Sequence, residues 1–277
     1  MGFRINTNVA SLQAQTSLGK VNRETESSFA KLSSGQRITK AADDAAGLAI
    51  SEKLKAEIRS TQQATRNAND GISMIQVAEG GLNETSNILT RLRELAMQSA
   101  SDTVGDTERQ MSNLEYQQLK SEMDRISKVT EFNGKKLLDG SGEKYDYQVG
   151  SGNDEFEDRI SFNASSLNAS LESIGIESAD VSSKESAQDS LAALDGAIEK
   201  VSGQRAVLGA TQNRLTSTVT NLQVFSENMS AANSRIRDVD YAEETAKQAR
   251  NQIITAAGTS VLAQANASGQ QALKLIG

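Results

Sequence analysis

The sequence has 277 residues, a formal net charge of −7, and no proline, cysteine, histidine or tryptophan. Without histidine and cysteine, the usual zinc sites, Ser–His pairs, cysteine nucleophiles and disulfides are excluded, and we expect no cofactor. Carboxylate and Ser–Lys chemistry stay open, so catalysis is disfavoured but not excluded. The negative charge argues against nucleic-acid binding, and no apolar run approaches the ~20 residues of a membrane helix.

The predicted elements begin with a helix near the N-terminus. Its apolar stripe begins with Ile5, Val9 and Leu12 and resumes with Leu18, Val21, Phe29 and Leu32. The first residues lack the apolar core of a cleaved signal peptide. If the chain leaves the cell, we therefore expect a route that does not cut its N-terminus.

A second helix carries a regular apolar seam in the N-terminal half. Its positions alternate in steps of three and four, the spacing of a coiled coil. They are Ile75, Ala78, Leu82, Thr85, Leu89, Leu92, Ala96 and Ser99. A third helix is predicted over about 107–129, with Tyr116, Leu119, Met123 and Ile126 on one face.

The middle of the chain, 131–186, has a different pattern. Turn signals at Asn133–Gly134 and Gly140–Gly142 flank short segments in which apolar and polar residues alternate. We expect a small β-hairpin region here, followed by a loop over about 163–186.

The longest seam follows this region and predicts a helix of about 50 residues, ~75 Å long at 1.5 Å per residue. Its apolar members are Leu191, Leu194, Ile198, Val201, Leu208, Leu215, Val219, Leu222, Met229 and Ile236. Arg205 and Gln212 also fall on the seam, where they either specify its register or mark where it turns toward solvent. Narrow stripes on three helices predict a mainly α fold, an elongated antiparallel coiled-coil rod with a small β-hairpin region.

The C-terminal stretch carries two adjoining stripes of small and apolar residues. Its larger members are Ile253, Ile254, Val261, Leu262 and Leu275. Together the stripes cover more of the helix than one partner can bury. We therefore expect both chain ends to be poorly ordered in a lone monomer and to fold on assembly.

Several ordered blocks resemble those of bacterial flagellins. They are Arg4–Leu12, Leu32–Ile38, Asp43–Ile50, Ser234–Ala242 and Gly258–Asn266. The resemblance implies a short flagellin without large outer domains, a structural subunit that polymerises into the extracellular, hollow filament used for motility.

The resemblance also implies the domain organisation. The terminal helices, 1–42 with 240–277, would pair and form the inner tube around an export channel. Residues 43–130 with 187–239 would form the helical rod domain, and 131–186 its hairpin and loop region.

The expected partners come from the resemblance as well. They are other copies of the chain, the filament cap and hook-junction proteins, and an export chaperone at the C-terminal helix. Thr90, Arg91, Leu95 and Glu115 match positions through which some flagellins contact a Toll-like receptor, although Thr90 replaces the usual glutamine. From spacing alone, Arg91 and Glu94 would simply form a surface ion pair.

Asp43 and Asp44 are adjacent, so they do not face each other on a helix, and a capping role is favoured over paired catalytic carboxylates. The alternative functions are a hook–filament junction protein of the same superfamily and a coiled-coil surface adhesin.

Overall fold

The computed structural model describes residues 7–274 of the chain, with side chains as far as residue 267. The helices of this part are α1 (Val9–Ser34), α2 (Ala45–Ser99), α3 (Asp106–Val129), α4 (Leu171–Ile174), α5 (Lys184–Arg237) and α6 (Tyr241–Lys274). The strands are β1 (Glu131–Phe132), β2 (Lys135–Lys136), β3 (Lys144–Gln148) and β4 (Arg159–Asn163). The predicted fold class, mainly α with a small β-hairpin region, is confirmed.

The chain divides into two compact units. The central unit comprises Glu57–Glu227, and the terminal unit comprises the residues up to Ala56 and from Asn228 onward. The borders fall inside α2 and α5, so each of these helices contributes residues to both units. The predicted borders at 42/43 and 239/240, which follow the helix ends, stay a prediction about assembly domains.

In the central unit, one face of α2 is buried along its length. All eight positions of the predicted stripe from Ile75 to Ser99 are buried. Met74, Ile88 and Leu95 are buried as well, which makes the contact face wider than a two-helix seam. The extra width is needed because α2 shares its core with α3, α5 and the segment after β4.

The buried face of α5 differs from the predicted seam. Leu194, Val201, Leu208 and Leu215 are buried as predicted. The intervening buried positions are the small or polar residues Ala187, Ser190, Ala197 and Thr211. Ser190, Ala197 and Thr211 directly precede the predicted seam residues Leu191, Ile198 and Gln212, and Ala187 lies four residues before Leu191. The three predicted residues are only partly buried.

Small residues explain this shift. The Ser190 hydroxyl donates to the Asp180 carbonyl at 2.8 Å, so the segment before α5 packs closely on this side of the helix. A larger side chain at 190 would hold that segment away. Arg205 and Gln212 lie beside the buried residues and are partly buried. Of the two interpretations, this favours the one in which they mark where the seam turns toward solvent.

The β region forms two antiparallel pairs. Asn133 and Gly134 both have positive φ, 50° and 77°, as the tight turn between β1 and β2 requires. Between β3 and β4, Tyr145 pairs with Phe162 and Tyr147 with Ile160, as the alternation predicted. The following segment is more than a surface loop, because its apolar residues Leu167, Ile174, Ile176 and Val181 are buried in the core.

In the terminal unit, α1 and α6 pair antiparallel. At one end, the Asn8 side chain donates to the Ala265 carbonyl and the Ser11 hydroxyl to Asn266 Oδ1, both at 2.8 Å. At the other end, the Tyr241 hydroxyl donates to the Leu32 carbonyl at 2.9 Å. The predicted pairing of the N- and C-terminal helices is therefore confirmed.

The turn between α1 and α2 is fixed by backbone and carboxylate bonds. The Arg37 N–H donates to the Arg237 carbonyl at 2.7 Å. Asp44 Oδ1 accepts the Gly47 N–H at 2.8 Å at the start of α2, so the predicted capping role is confirmed. Asp43 accepts the N–H groups of Thr39 and Lys40, and these bonds, the Lys40 bond first, hold the pKa of Asp43 below its usual value.

Candidate assembly surfaces

The terminal unit, in which α1 packs against α6, buries several polar side chains. Ser11, Ser28, Glu244 and Asn251 are all buried in the terminal unit. Ser28 Oγ, Glu244 Oε1 and Asn251 Nδ2 have no hydrogen-bond partner among the residues that the structure describes. Buried polar groups without partners reduce stability, so these three atoms lower the stability of the terminal unit.

The apolar side chains of the same helices lie largely outside the pair. Val9, Leu12, Phe29, Ile253, Ile254 and Val261 are between 43% and 70% exposed. Leu18, Val21, Leu32 and Leu262 are partly buried, whereas Ile5 and Leu275 lie outside the described residues. The pair thus exposes apolar surface on more than one side.

One close approach sets the register of this pair. A Cβ atom at Gly258 would lie 2.9 Å from Cδ2 of Leu18, closer than van der Waals contact allows. Glycine therefore makes room for the leucine side chain. The sequence did not single out Gly258, and only the pairing of α1 with α6 explains it.

A second surface lies on α2 and α3. Arg91 donates to Glu115 Oε1 at 3.0 and 2.9 Å and to Glu94 Oε2 at 2.9 Å. Hydrogen bonds to the two carboxylates, that to Glu94 first, raise the pKa of Arg91 above its usual value. Next to Glu115 on α3, Met111 and Leu114 are 66% and 71% exposed.

Sequence reasoning missed Met111 and Leu114. They lie on the face of α3 opposite the buried Tyr116–Met123 stripe. A second group of apolar residues, away from the stripe that the core already buries, could have predicted this exposed surface.

A third surface is a groove beside the β3–β4 hairpin, called here the hairpin groove. Its lining includes Val149, Phe156, Ile160, Leu222 and Phe225, with Arg159 and Arg214 among its polar residues. Val149 and Ile160 are buried, whereas Phe156 is 94% exposed.

Carboxylates order the loop that presents Phe156. Asp158 accepts the N–H groups of Gly152 and Asp154 at 3.1 and 2.9 Å. Asp154 accepts those of Phe156 and Glu157 at 2.8 and 3.1 Å. Hydrogen bonds from Glu157 and then Phe156 hold the pKa of Asp154 below its usual value, so the loop keeps these bonds at neutral pH.

Two family models match the chain. The bacterial flagellin N-terminal helical region matches residues 5–143, and the bacterial flagellin C-terminal helical region matches residues 191–276. The chain belongs to the bacterial flagellin family.

Individual relatives agree. A flagellin of Halalkalibacterium halodurans is 43% identical over 272 residues, which cover 98% of this chain and 99% of that protein. A flagellar filament 33 kDa core protein of Treponema phagedenis is 41% identical over 283 residues, covering 98% and 99%. The crystal structure of Bacillus cereus flagellin is 32% identical and covers 61% of this chain and 94% of that chain, with a TM-score of 0.51.

Membership of the flagellin family confirms the function predicted for the chain, a subunit of the extracellular flagellar filament, over the junction-protein and adhesin alternatives. The flagellin family is a structural protein family. No helix among residues 7–274 is both long and apolar enough to cross a membrane.

The structure separates the four residues predicted to contact a Toll-like receptor. Thr90, Arg91 and Glu115 are exposed on α2 and α3. Leu95 is only 2% exposed and belongs to the core. The Leu95 side chain faces the core in the single chain, and the receptor contact stays a prediction.

The predicted rod-seam residues fall into two groups. The buried members are Leu82, Leu89, Leu92, Leu194, Val201, Leu208 and Leu215. The partly buried members are Leu191, Ile198, Val219, Leu222, Met229 and Ile236.

Proposed function

We propose that the paired helices α1 and α6 are the main assembly interface of this flagellin-family chain. The observation that carries the proposal is the exposure of Val9, Leu12, Phe29, Ile253 and Val261 on a pair whose own contact also buries unpartnered polar atoms. In the filament, these side chains would be covered by the terminal helices of neighbouring copies.

The energetics support this arrangement. Full burial of one large apolar side chain stabilises by about 1.5–3 kcal/mol. Several such side chains in each copy would therefore contribute on the order of 10 kcal/mol before the entropy of association is subtracted. Because the apolar residues face more than one direction, each copy can contact several others. A repeated contact that does not close produces a helical filament.

A single substitution tests the interface. Ile253 is 70% exposed, so Ile253→Asp leaves the contacts within one chain almost unchanged. We expect the variant to keep its helical circular dichroism but to form no filaments on electron micrographs.

Gln252→Asp is the matched control, since Gln252 is an exposed neighbour and gains the same charge. It should polymerise like the parent chain. Normal filaments from the Ile253→Asp variant would contradict the proposal.

Other partners follow from the same surfaces. The exposed apolar residues of α6 suit an export chaperone that shields them before assembly. We also propose contacts with the cap and hook-junction proteins through the terminal helices. The exposed Thr90, Arg91 and Glu115 suit contact with a flagellin-sensing Toll-like receptor. We also propose that the chain has a structural and not a catalytic role.

A further inference from the structure

The turn between β1 and β2 carries the single Asn–Gly pair of the sequence, Asn133–Gly134. Both residues are exposed and have positive φ. Among the described residues, Asn133 is the only one other than glycine with a positive φ. A left-handed backbone is strained for a residue with a Cβ atom, although asparagine tolerates it better than most. The turn therefore holds its asparagine in a conformation that the residue leaves when the hairpin end opens.

Few contacts keep this turn closed. Only the two residue pairs of β1 and β2 lie between the turn and the bond from the Leu137 N–H to the Thr130 carbonyl, which is 3.1 Å long. A Cβ atom at Gly134 would meet nothing within 4 Å, so no other part of the central unit covers this side of the turn. Short, exposed ends of this kind open locally at a small cost in free energy.

These features suit a reaction within the Asn–Gly pair itself. When the turn opens and Asn133 rotates about its backbone, the Gly134 nitrogen can attack Cγ of the asparagine side chain, and glycine has no Cβ atom to obstruct it. The bond from Cγ to the side-chain nitrogen breaks. The proton of the Gly134 N–H passes to that nitrogen, which leaves as ammonia, and a cyclic succinimide remains. Water then opens the ring at either carbonyl and gives aspartate or isoaspartate.

We propose that Asn133 is a self-modification site, at which the folded chain deamidates its own turn and forms isoaspartate. The reaction consumes only water and releases only ammonia. It goes beyond the assembly proposed above and does not depend on it, because every group that reacts belongs to one exposed turn of a single chain.

The modification reaches the core of the central unit. Isoaspartate routes the backbone through its side chain, so the tight turn gains an additional carbon and no longer fits the pairing of β1 with β2. Leu137 and Leu138 follow directly after β2 and are both 0% exposed. Leu138 packs closely on α2, where a Cβ atom at Gly81 would lie 2.6 Å from its Cδ1. A displaced hairpin therefore disturbs this contact.

Asn163 provides a matched comparison within the same chain. It is also exposed, but its Oδ1 accepts the Ser165 N–H at 3.1 Å and the Ser165 hydroxyl at 2.6 Å. The residue after it is Ala164, which is 0% exposed and whose Cβ atom obstructs attack by the backbone nitrogen. We therefore expect Asn163 to stay intact while Asn133 is converted.

Peptide mass spectrometry tests the proposal on the folded, unpolymerised chain after incubation over days at mildly alkaline pH. The peptide that contains Asn133 should gain the mass difference between an amide and a carboxylate, and an isoaspartyl methyltransferase should methylate it. The peptide that contains Asn163 should do neither. An Asn133 that stays intact in the folded chain, or equal conversion of Asn163, would overturn the proposal.

The variant Leu194→Ala shows whether the reaction takes place in the folded chain. Leu194 is 0% exposed, and its truncation should make global unfolding more frequent by at least about a hundredfold. A reaction through local opening of the turn should proceed at the rate of the parent chain. Conversion accelerated by the same factor as unfolding would place the reaction in the unfolded chain and overturn the proposal.

Urea denaturation tests the effect on the core. Chains converted to isoaspartate should unfold at a lower urea concentration than unmodified chains. Asn133→Asp is the control, because it carries the same new charge on an ordinary backbone and aspartate also tolerates a positive φ. This variant should unfold close to the parent chain. Equal midpoints for the isoaspartate and unmodified chains would overturn the proposed link between the turn and the core.

Discussion

The register of α5 can be tested with two leucines three residues apart. Leu194 is 0% exposed, whereas Leu191 is partly buried at the margin of the core. Leu→Ala removes three carbon atoms, worth about 0.8 kcal/mol each when fully buried, and leaves a cavity that adds to the loss. We therefore expect Leu194→Ala to lower the free energy of unfolding by about 3–4 kcal/mol.

Leu191→Ala removes the same atoms from a site that water partly reaches. The substitution should lose roughly half of the free energy of burying these atoms and leave little cavity, so the free energy of unfolding should fall by only about 1 kcal/mol. Urea denaturation of the unpolymerised chain, followed by far-ultraviolet circular dichroism, measures both variants against the parent, with the slope m as a check on two-state behaviour. An equal or larger loss for Leu191→Ala would show that the seam has the register predicted from the sequence, and would refute the assignment of Ser190 and Ala197 to the core.

Three further predictions concern other parts of the chain. Gly258→Ala should displace Leu18 and raise the critical concentration for filament growth several-fold. Sedimentation of polymerised samples measures this concentration, and an unchanged value would contradict the close approach of Gly258 to Leu18. Arg109 is buried and donates to the carbonyls of Ser99 and Ser101. Because hydrogen bonds from a charged donor are strong, Arg109→Ala should lower the free energy of unfolding, measured in urea, by about 2–4 kcal/mol. A loss under about 1 kcal/mol would refute this role of Arg109. Burial raises the pKa of Tyr116 from 10.0 to about 12. The neutral phenol therefore stabilises the folded chain fully below pH 10, and this stabilisation is lost as the pH rises towards 12. The stabilisation lost over this pH range is about 2–3 kcal/mol. Urea denaturation at a series of pH values should show a smaller fall in the free energy of unfolding for Tyr116→Phe than for the parent chain. Equal falls would refute the raised pKa of Tyr116.

Much of the helical organisation could be predicted because it depends on period alone. The stripe from Ile75 to Ser99 is buried at every predicted position, since α2 offers its core neighbours one continuous apolar face. The pairing of Tyr145 with Phe162 follows likewise from strict alternation. Apolar periodicity is a local property, and long segments without proline express it with little interference.

The candidate surfaces were harder to predict from sequence. Leu95 matched a family contact position but is buried, because matching residues does not reveal which way a side chain faces. Phe156 gave no sequence signal, since its exposure depends on the bonds that Asp154 and Asp158 make within its loop.

The sequence by itself determined the helices, the small β region and the family, because these depend on periodicity, turn residues and ordered sequence blocks. Tertiary structure alone decided which side of α5 faces the core. The apolar row Leu191–Ile198 and the small row Ser190–Ala197 flank the same buried leucines, and close packing of the segment that contains Asp180 selects the smaller side chains. It also decided which apolar side chains of α1 and α6, such as Leu18, lie in their contact and which, such as Phe29 and Ile253, stay exposed, because pairing two helices buries only the faces that their register brings together.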